Sequence, residues 1–191
     1  ALATTGWDGA LRPSDADYLM LVDSNVGFRK VNPNVRQSVN YLVNLGSGTL
    51  RATLTVRYMN ESQGVTECIA GAGYDDSYEE MMQGCYWDYV RVYVPRGSRL
   101  LRVVGSDSEP EVSEEAGRAV FSAFLVVAPR MNREIVFNYE LPAGVLRGSQ
   151  FSEYRLLVQK QPGSSDYPVQ VTVSGGDWRL DLLRSNITWD S

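Results

Sequence analysis

The sequence predicts an all-β chain: an antiparallel two-sheet β-sandwich, immunoglobulin-like or related, with about nine or ten strands. Three observations carry that expectation. Residues 35–59 hold two runs that alternate apolar and polar residues around Gly46-Ser47-Gly48. Val35, Val39, Tyr41, Val43 and Leu45 share one face, and Leu50, Ala52, Leu54, Val56 and Tyr58 share the corresponding face of the second run. Period-two alternation of this kind is a hairpin with one buried and one wet face. Further short strand-like runs recur at regular spacing between Gly-, Pro- and Asn-rich turns. The long amphipathic helices that parallel crossovers require are missing.

Taken in order, residues 1–34 read as a lead-in segment packed on a sandwich domain spanning 35–191. Within the lead-in, residues 1–16 form a polar loop around Trp7, and Asp17–Asp23 (DYLMLVD) is a short apolar run bounded by acids, expected to be a buried strand. SNVGFRKVNPN follows, dense in turn formers. After the hairpin, residues 60–87 break the alternation with Gly64, Gly71, Gly73 and Gly84. A short helical insertion is expected near 77–83, with Ser77 as N-cap and Glu80 at the capping-box position. Strand pattern resumes at 88–95, where Val90, Val92 and Val94 alternate with Tyr89, Arg91 and Tyr93, and continues at 99–105. Residues 106–117 read as an acidic loop. Residues 118–129 and 133–142 are expected to pair as a hairpin, and 153–163 with 167–176 as the next, before one last short strand in the tail.

Composition excludes several function classes. The 191 residues contain no histidine, so Ser-His-Asp, Cys-His and imidazole-zinc chemistry are impossible, as is a histidine pH switch. Two cysteines cannot build a Cys₄ zinc site. A net charge of −5 with scattered basic residues argues against a nucleic-acid partner. No apolar run reaches the roughly 20 residues of a membrane span. The start lacks an initiator Met and a signal peptide, which reads as a piece of something longer.

The candidate sites each admit a plain alternative. Cys68 and Cys85 lie 17 positions apart in the irregular insertion; in an extracellular chain they would form a disulfide pinning that loop, and in a cytosolic one they would be unpaired thiols. Asp75, Asp76, Glu79 and Glu80 could supply oxygens to Ca²⁺, but their spacing fits no EF-hand, and a solvated acidic loop is the simpler reading. Many acids are present and no pair stands out for glycoside chemistry, so an enzyme is not expected. Tyr89 and Tyr93 face away from the valines and could stack sugar rings, or simply cover the second face of the sheet. Asn25, Lys30 and Asn32 either fix a turn through side-chain to backbone bonds or line a binding groove. Asn60-Glu61-Ser62 and Asn186-Ile187-Thr188 match glycosylation sequons. No catalytic residue, metal site or cofactor is expected.

Several segments in order carry a resemblance. GWDG (6–9) is followed by DYLMLVDSNVGFRKVN (17–32), then VRVYVPRGSRL (90–100), then FNYELP (137–142) leading into YRLLVQKQPG (154–163). This order resembles the C-terminal part of a domain-of-unknown-function family of large bacterial cell-envelope proteins. The resemblance implies a membrane-anchored parent with the bulk of its chain outside the cell, and places this chain as an extracellular β-domain. It implies a non-catalytic, structural or protein-interaction role; the alternative is a carbohydrate-binding module for envelope or surface glycans. The partner would be an envelope protein or a glycan.

Overall fold

The computed structural model describes residues 9–46, 48–71, 77–147 and 153–175. Its strands are β1 (Asp17–Asn25), β2 (Val35–Asn44), β3 (Arg51–Asn60), β4 (Tyr86–Pro95), β5 (Arg99–Val104), β6 (Glu111–Glu115), β7 (Arg118–Val127), β8 (Asn132–Glu140), β9 (Leu146–Arg147), β10 (Glu153–Tyr154), β11 (Leu156–Gln159) and β12 (Val169–Ser174). A single helical turn, α1 (Tyr78–Met81), interrupts them between β3 and β4. One five-stranded sheet has the order β11-β1-β4-β7-β6, the other β12-β2-β3-β8-β5, and β9 and β10 form a small ribbon. The molecule is a two-sheet β-sandwich with little helix.

The hairpin β2–β3 forms in the expected register, with Tyr41 opposite Leu54 and Val39 opposite Val56. Val39, Tyr41, Val43, Leu54, Val56 and Tyr58 are buried against Leu19, Leu21, Val90, Val92, Phe121 and Leu125 of the other sheet. Each such side chain contributes about 1.5–3 kcal/mol on burial. The wet face of the hairpin is tied by Arg57 to Glu134 and by Thr53 to Asn138, ordinary solvated cross-strand pairs. The capping box also forms: Ser77 Oγ accepts from the Glu80 amide, and the Glu80 carboxylate accepts from the Ser77 amide.

Several expectations are corrected. Residues 118–129 and 133–142 do not pair with each other. β7 lies in the first sheet between β4 and β6, while β8 lies in the second between β3 and β5. Nor do 153–163 and 167–176 pair: β11 runs parallel to β1, and β12 runs parallel to β2. The sheets are therefore mixed, antiparallel inside and parallel at one edge each. The acidic stretch 106–117 is not all loop, because Glu111–Glu115 pairs with β7 through a two-residue turn at Ala116 and Gly117. Both turn residues have positive φ, 47° and 74°, as a type I′ turn demands. The common cause is that alternation marks which face a residue takes and says nothing of which strand lies beside it. Of the segment read as a lead-in, β1 is an integral strand hydrogen-bonded on both sides, to β11 and β4. The expected tail strand, and Trp7, Trp178 and Trp189, fall outside the described residues.

Candidate functional site

An irregular lobe at one end of the sandwich is built from residues 26–34, 61–71 and 77–85. Its two halves are held together by backbone and side-chain bonds. The Lys30 amide donates to the Met81 carbonyl (3.2 Å), the Val26 amide to Trp87 (2.8 Å), and Asn34 Nδ2 to Met82 (2.8 Å). Gly27 lies so close to Trp87 that a Cβ would come within 2.5 Å of its ring, so only glycine fits. The Cys68–Cys85 disulfide pins the loop, with Cα atoms 5.8 Å apart. Cys85 sits against the core at the start of β4, which makes the bond an anchor for everything upstream.

The sequence candidates in this lobe do structural work. Asn25 Nδ2 donates to the Arg29 carbonyl (3.0 Å) and to Asn32 Oδ1 (2.7 Å), and its Oδ1 accepts from the Gly27 amide (3.1 Å). That network holds Phe28 in the left-handed region, φ 57°, which a bulky residue adopts only when its surroundings enforce it. Phe28 is 73% exposed there. Lys30 is exposed beside it. Val26, Val65, Ile69 and Tyr78 are also exposed, so the lobe's two halves carry five of the large apolar side chains that solvent reaches. Of the acidic cluster, Asp75 and Asp76 fall outside the described residues. Glu80 is spent on the capping box, and the Ser77 amide and hydroxyl hold its carboxyl below the usual range. Among the described residues no group of three or more acidic or cysteine side chains converges for a metal ion.

The outer face of β4 is the second candidate. Tyr89 is half-buried and its hydroxyl donates to Glu111 (3.1 Å). Tyr93 is only 4% exposed and donates to Glu115 (2.8 Å), so it is a packed residue and not a stacking platform. It joins Tyr18, Met20 and Val120 in a small apolar cluster outside the sandwich, with Leu11 of the N-terminal segment against it. The buried Arg118 guanidinium lies 3.9 Å over the Tyr18 ring and donates to the Arg12 carbonyl. Burial pushes the Tyr18 hydroxyl up to about 12, against the pull of Arg118. A groove of about 390 Å³ opens here, floored by Met20, Val22 and Tyr93 and rimmed by Arg91 and Glu115. Arg91 and Glu115 pair with each other at 3.7 Å, leaving the groove with internally satisfied charges.

Three aspartates at core positions were not singled out by the sequence reading. Asp17 is fully buried; its carboxylate accepts from Tyr41 (2.7 Å), Tyr154 (2.5 Å) and the Tyr18 amide (2.8 Å). Burial raises its carboxyl above the usual range, and the three donors hold the rise back. At the opposite end of β1, Asp23 accepts from Tyr58 (2.6 Å) and Gln37 (2.9 Å), and Asp88 stands diagonally across from it on β4. A signal was available: Asp17 and Asp23 share parity with Leu19 and Leu21, and Asp88 with Val90, so all three point where the core residues point.

The sequon at Asn60 is closed in the folded domain. Asn60 is buried and donates to the carbonyls of Gly84 and Val127. The second sequon lies outside the described residues. Compared with protein-family profiles and with curated proteins, the chain matches none.

Proposed function

We propose that this chain is a non-catalytic, extracytoplasmic sandwich domain of a bacterial cell-envelope protein that acts by binding another protein through its disulfide-pinned lobe. The observation that carries the reading is the lobe itself. It presents Phe28 in a strained backbone conformation, with Val26, Val65, Ile69 and Tyr78 exposed on the same two segments. Exposed apolar side chains held by a rigid polar frame are what an interaction surface needs. The disulfide supports an oxidising compartment. The order of segments that resembles envelope proteins supports the same placement.

The test is a reporter fused to the C-terminus of the full-length gene product in a bacterial host. An alkaline phosphatase that matures only after export is expected to be active, with Cys68 and Cys85 protected from alkylation until reduced. A reporter active only in the cytoplasm, or two free thiols, overturns the placement. A second reading, a carbohydrate-binding module, is favoured by Trp87 and Tyr89, which lie on the outer face of β4 next to Phe124. Titration with envelope polysaccharide separates the two. Heat of binding that disappears in Trp87→Ala and Tyr89→Ala favours the module, and no heat at millimolar sugar favours the protein partner.

A further inference from the structure

Asp88 is completely buried, yet neither of its carboxyl oxygens has a hydrogen-bond partner. Tyr58 and Gln37 are both turned to Asp23, and the Tyr86 hydroxyl and Ser24 amide, although close to Asp88, make no well-formed hydrogen bond to it. A bare carboxylate in that position would stand unsolvated beside a second carboxylate, an arrangement that a protein interior strongly disfavours. A proton on Asp88 resolves this, because a protonated carboxyl becomes a donor and Asp23 has acceptor capacity left. We propose that Asp23 and Asp88 hold one proton between them, and that this proton fastens β1 to β4 at the base of the lobe.

The position gives the proton its leverage. Asp23 lies three residues before the lobe segment that begins at Val26, and Asp88 follows the other lobe segment by three residues, after Cys85. The pair is also the diagonal cross-strand neighbour set of β1 and β4, where Asn25 stands opposite Asp88 and Asp23 opposite Val90. The titratable groups facing it are Tyr58 from β3, Tyr86 from β4 and Tyr167 from the segment before β12, all with hydroxyls pushed up by burial, so none supplies a positive charge. Burial and the neighbouring Asp23 charge both push the Asp88 carboxyl well above 3.8.

The sign follows. Below 3.8 the unfolded aspartates are protonated as the folded pair is, and the pair does not bias folding with pH. Above it the unfolded chain releases a proton that the folded chain keeps, so this contribution to stability falls as pH rises, until the folded pair itself ionises. One proton corresponds to about a tenfold loss in the folding equilibrium constant per pH unit across that window. Asp17 slopes the same way, so the experiment compares variants instead of reading the wild type alone.

The experiment is denaturant unfolding of the wild type, Asp88→Asn, Asp23→Asn and Asp17→Asn from pH 5 to pH 9. In Asp88→Asn an amide takes over the donor role without titrating. The expected result is that its stability relative to wild type rises with pH, approaching tenfold per unit, while Asp17→Asn leaves that difference in place. An infrared band of a protonated carboxyl at pH 7, present in wild type and lost in either pair variant, reads the same proton even if a variant is weakly folded. Parallel pH profiles for wild type and both pair variants overturn the proposal. So does a wild-type protein that millimolar Ca²⁺ stabilises at pH 8 while Asp88→Asn does not respond, since the two carboxylates would then hold a cation in place of a proton.

Discussion

At the scale of single residues, the interior of this sandwich depends on polar side chains that reach backbone groups. Asn60 closes the gap between β3, the end of the lobe and β7 through its two amide hydrogens, and its Oδ1 accepts from the Ser62 amide. Asn60→Ala removes the Asn60 bonds to the Val127 carbonyl, the Gly84 carbonyl (which keeps the Ser62 hydroxyl) and the Ser62 amide; a loss of about 2–4 kcal/mol is expected in denaturant unfolding. Tyr154→Phe removes one of three donors from the buried Asp17 carboxylate. A loss of about 1–3 kcal/mol at pH 7 is expected. The loss should shrink on acidification towards 3.8, because a protonated Asp17 needs the donor less. Unfolding curves at pH 7 and pH 4 read both effects. These residues were legible only in part. The parity of Asp17, Asp23 and Asp88 with their apolar neighbours puts them inside, but their partners come from β2, β3 and the segment after β9, which no local pattern links to β1.

At the scale of elements, what was legible was what a short stretch of chain decides by itself. The β2–β3 hairpin, the α1 capping box and the disulfide loop each depend on residues within one segment. What was not legible was partner choice. β7 and β8 are joined by Ala128–Met131, with Arg130 at φ 60°. Arg130 donates its guanidinium to the Gln63 and Gly64 carbonyls, so its turn is held by the lobe and carries the chain across to the other sheet. Nothing in the local sequence distinguishes such an arch from a hairpin turn. The lobe allows a sharp prediction. Reduction of Cys68–Cys85 is expected to cost about 3 kcal/mol by loop closure. Hydrogen exchange should then rise across residues 61–85 while β3, β7 and β8 keep their protection, because the core does not pass through the disulfide. Uniform loss of protection would show the lobe to be part of the cooperative core.

At the scale of the whole molecule, both sheets are finished by the same late stretch of chain. β11 pairs Asp17 with Leu156 and β12 pairs Val39 with Val169, so the strands nearest the start wait for residues far along the chain. Truncation after residue 152 is expected to leave the backbone of β1 and β2 unpaired along one edge each, and to drive association that size-exclusion chromatography detects as oligomers or loss of soluble protein. A truncated chain that remains monomeric with intact unfolding cooperativity would show these edges to be dispensable.

The parallel edges also set a timetable. A chain made or delivered from its N-terminus cannot complete β1 until residue 159 has emerged, nor β2 until residue 174. Until then the antiparallel pairs β1–β4, β2–β3, β4–β7 and β3–β8 can form, but β1 and β2 each keep one open edge. Such a domain can assemble the antiparallel interior of both sheets early and closes one edge of each late, so a polypeptide handed across a membrane in extended form would carry two open strand edges until its last strands arrived.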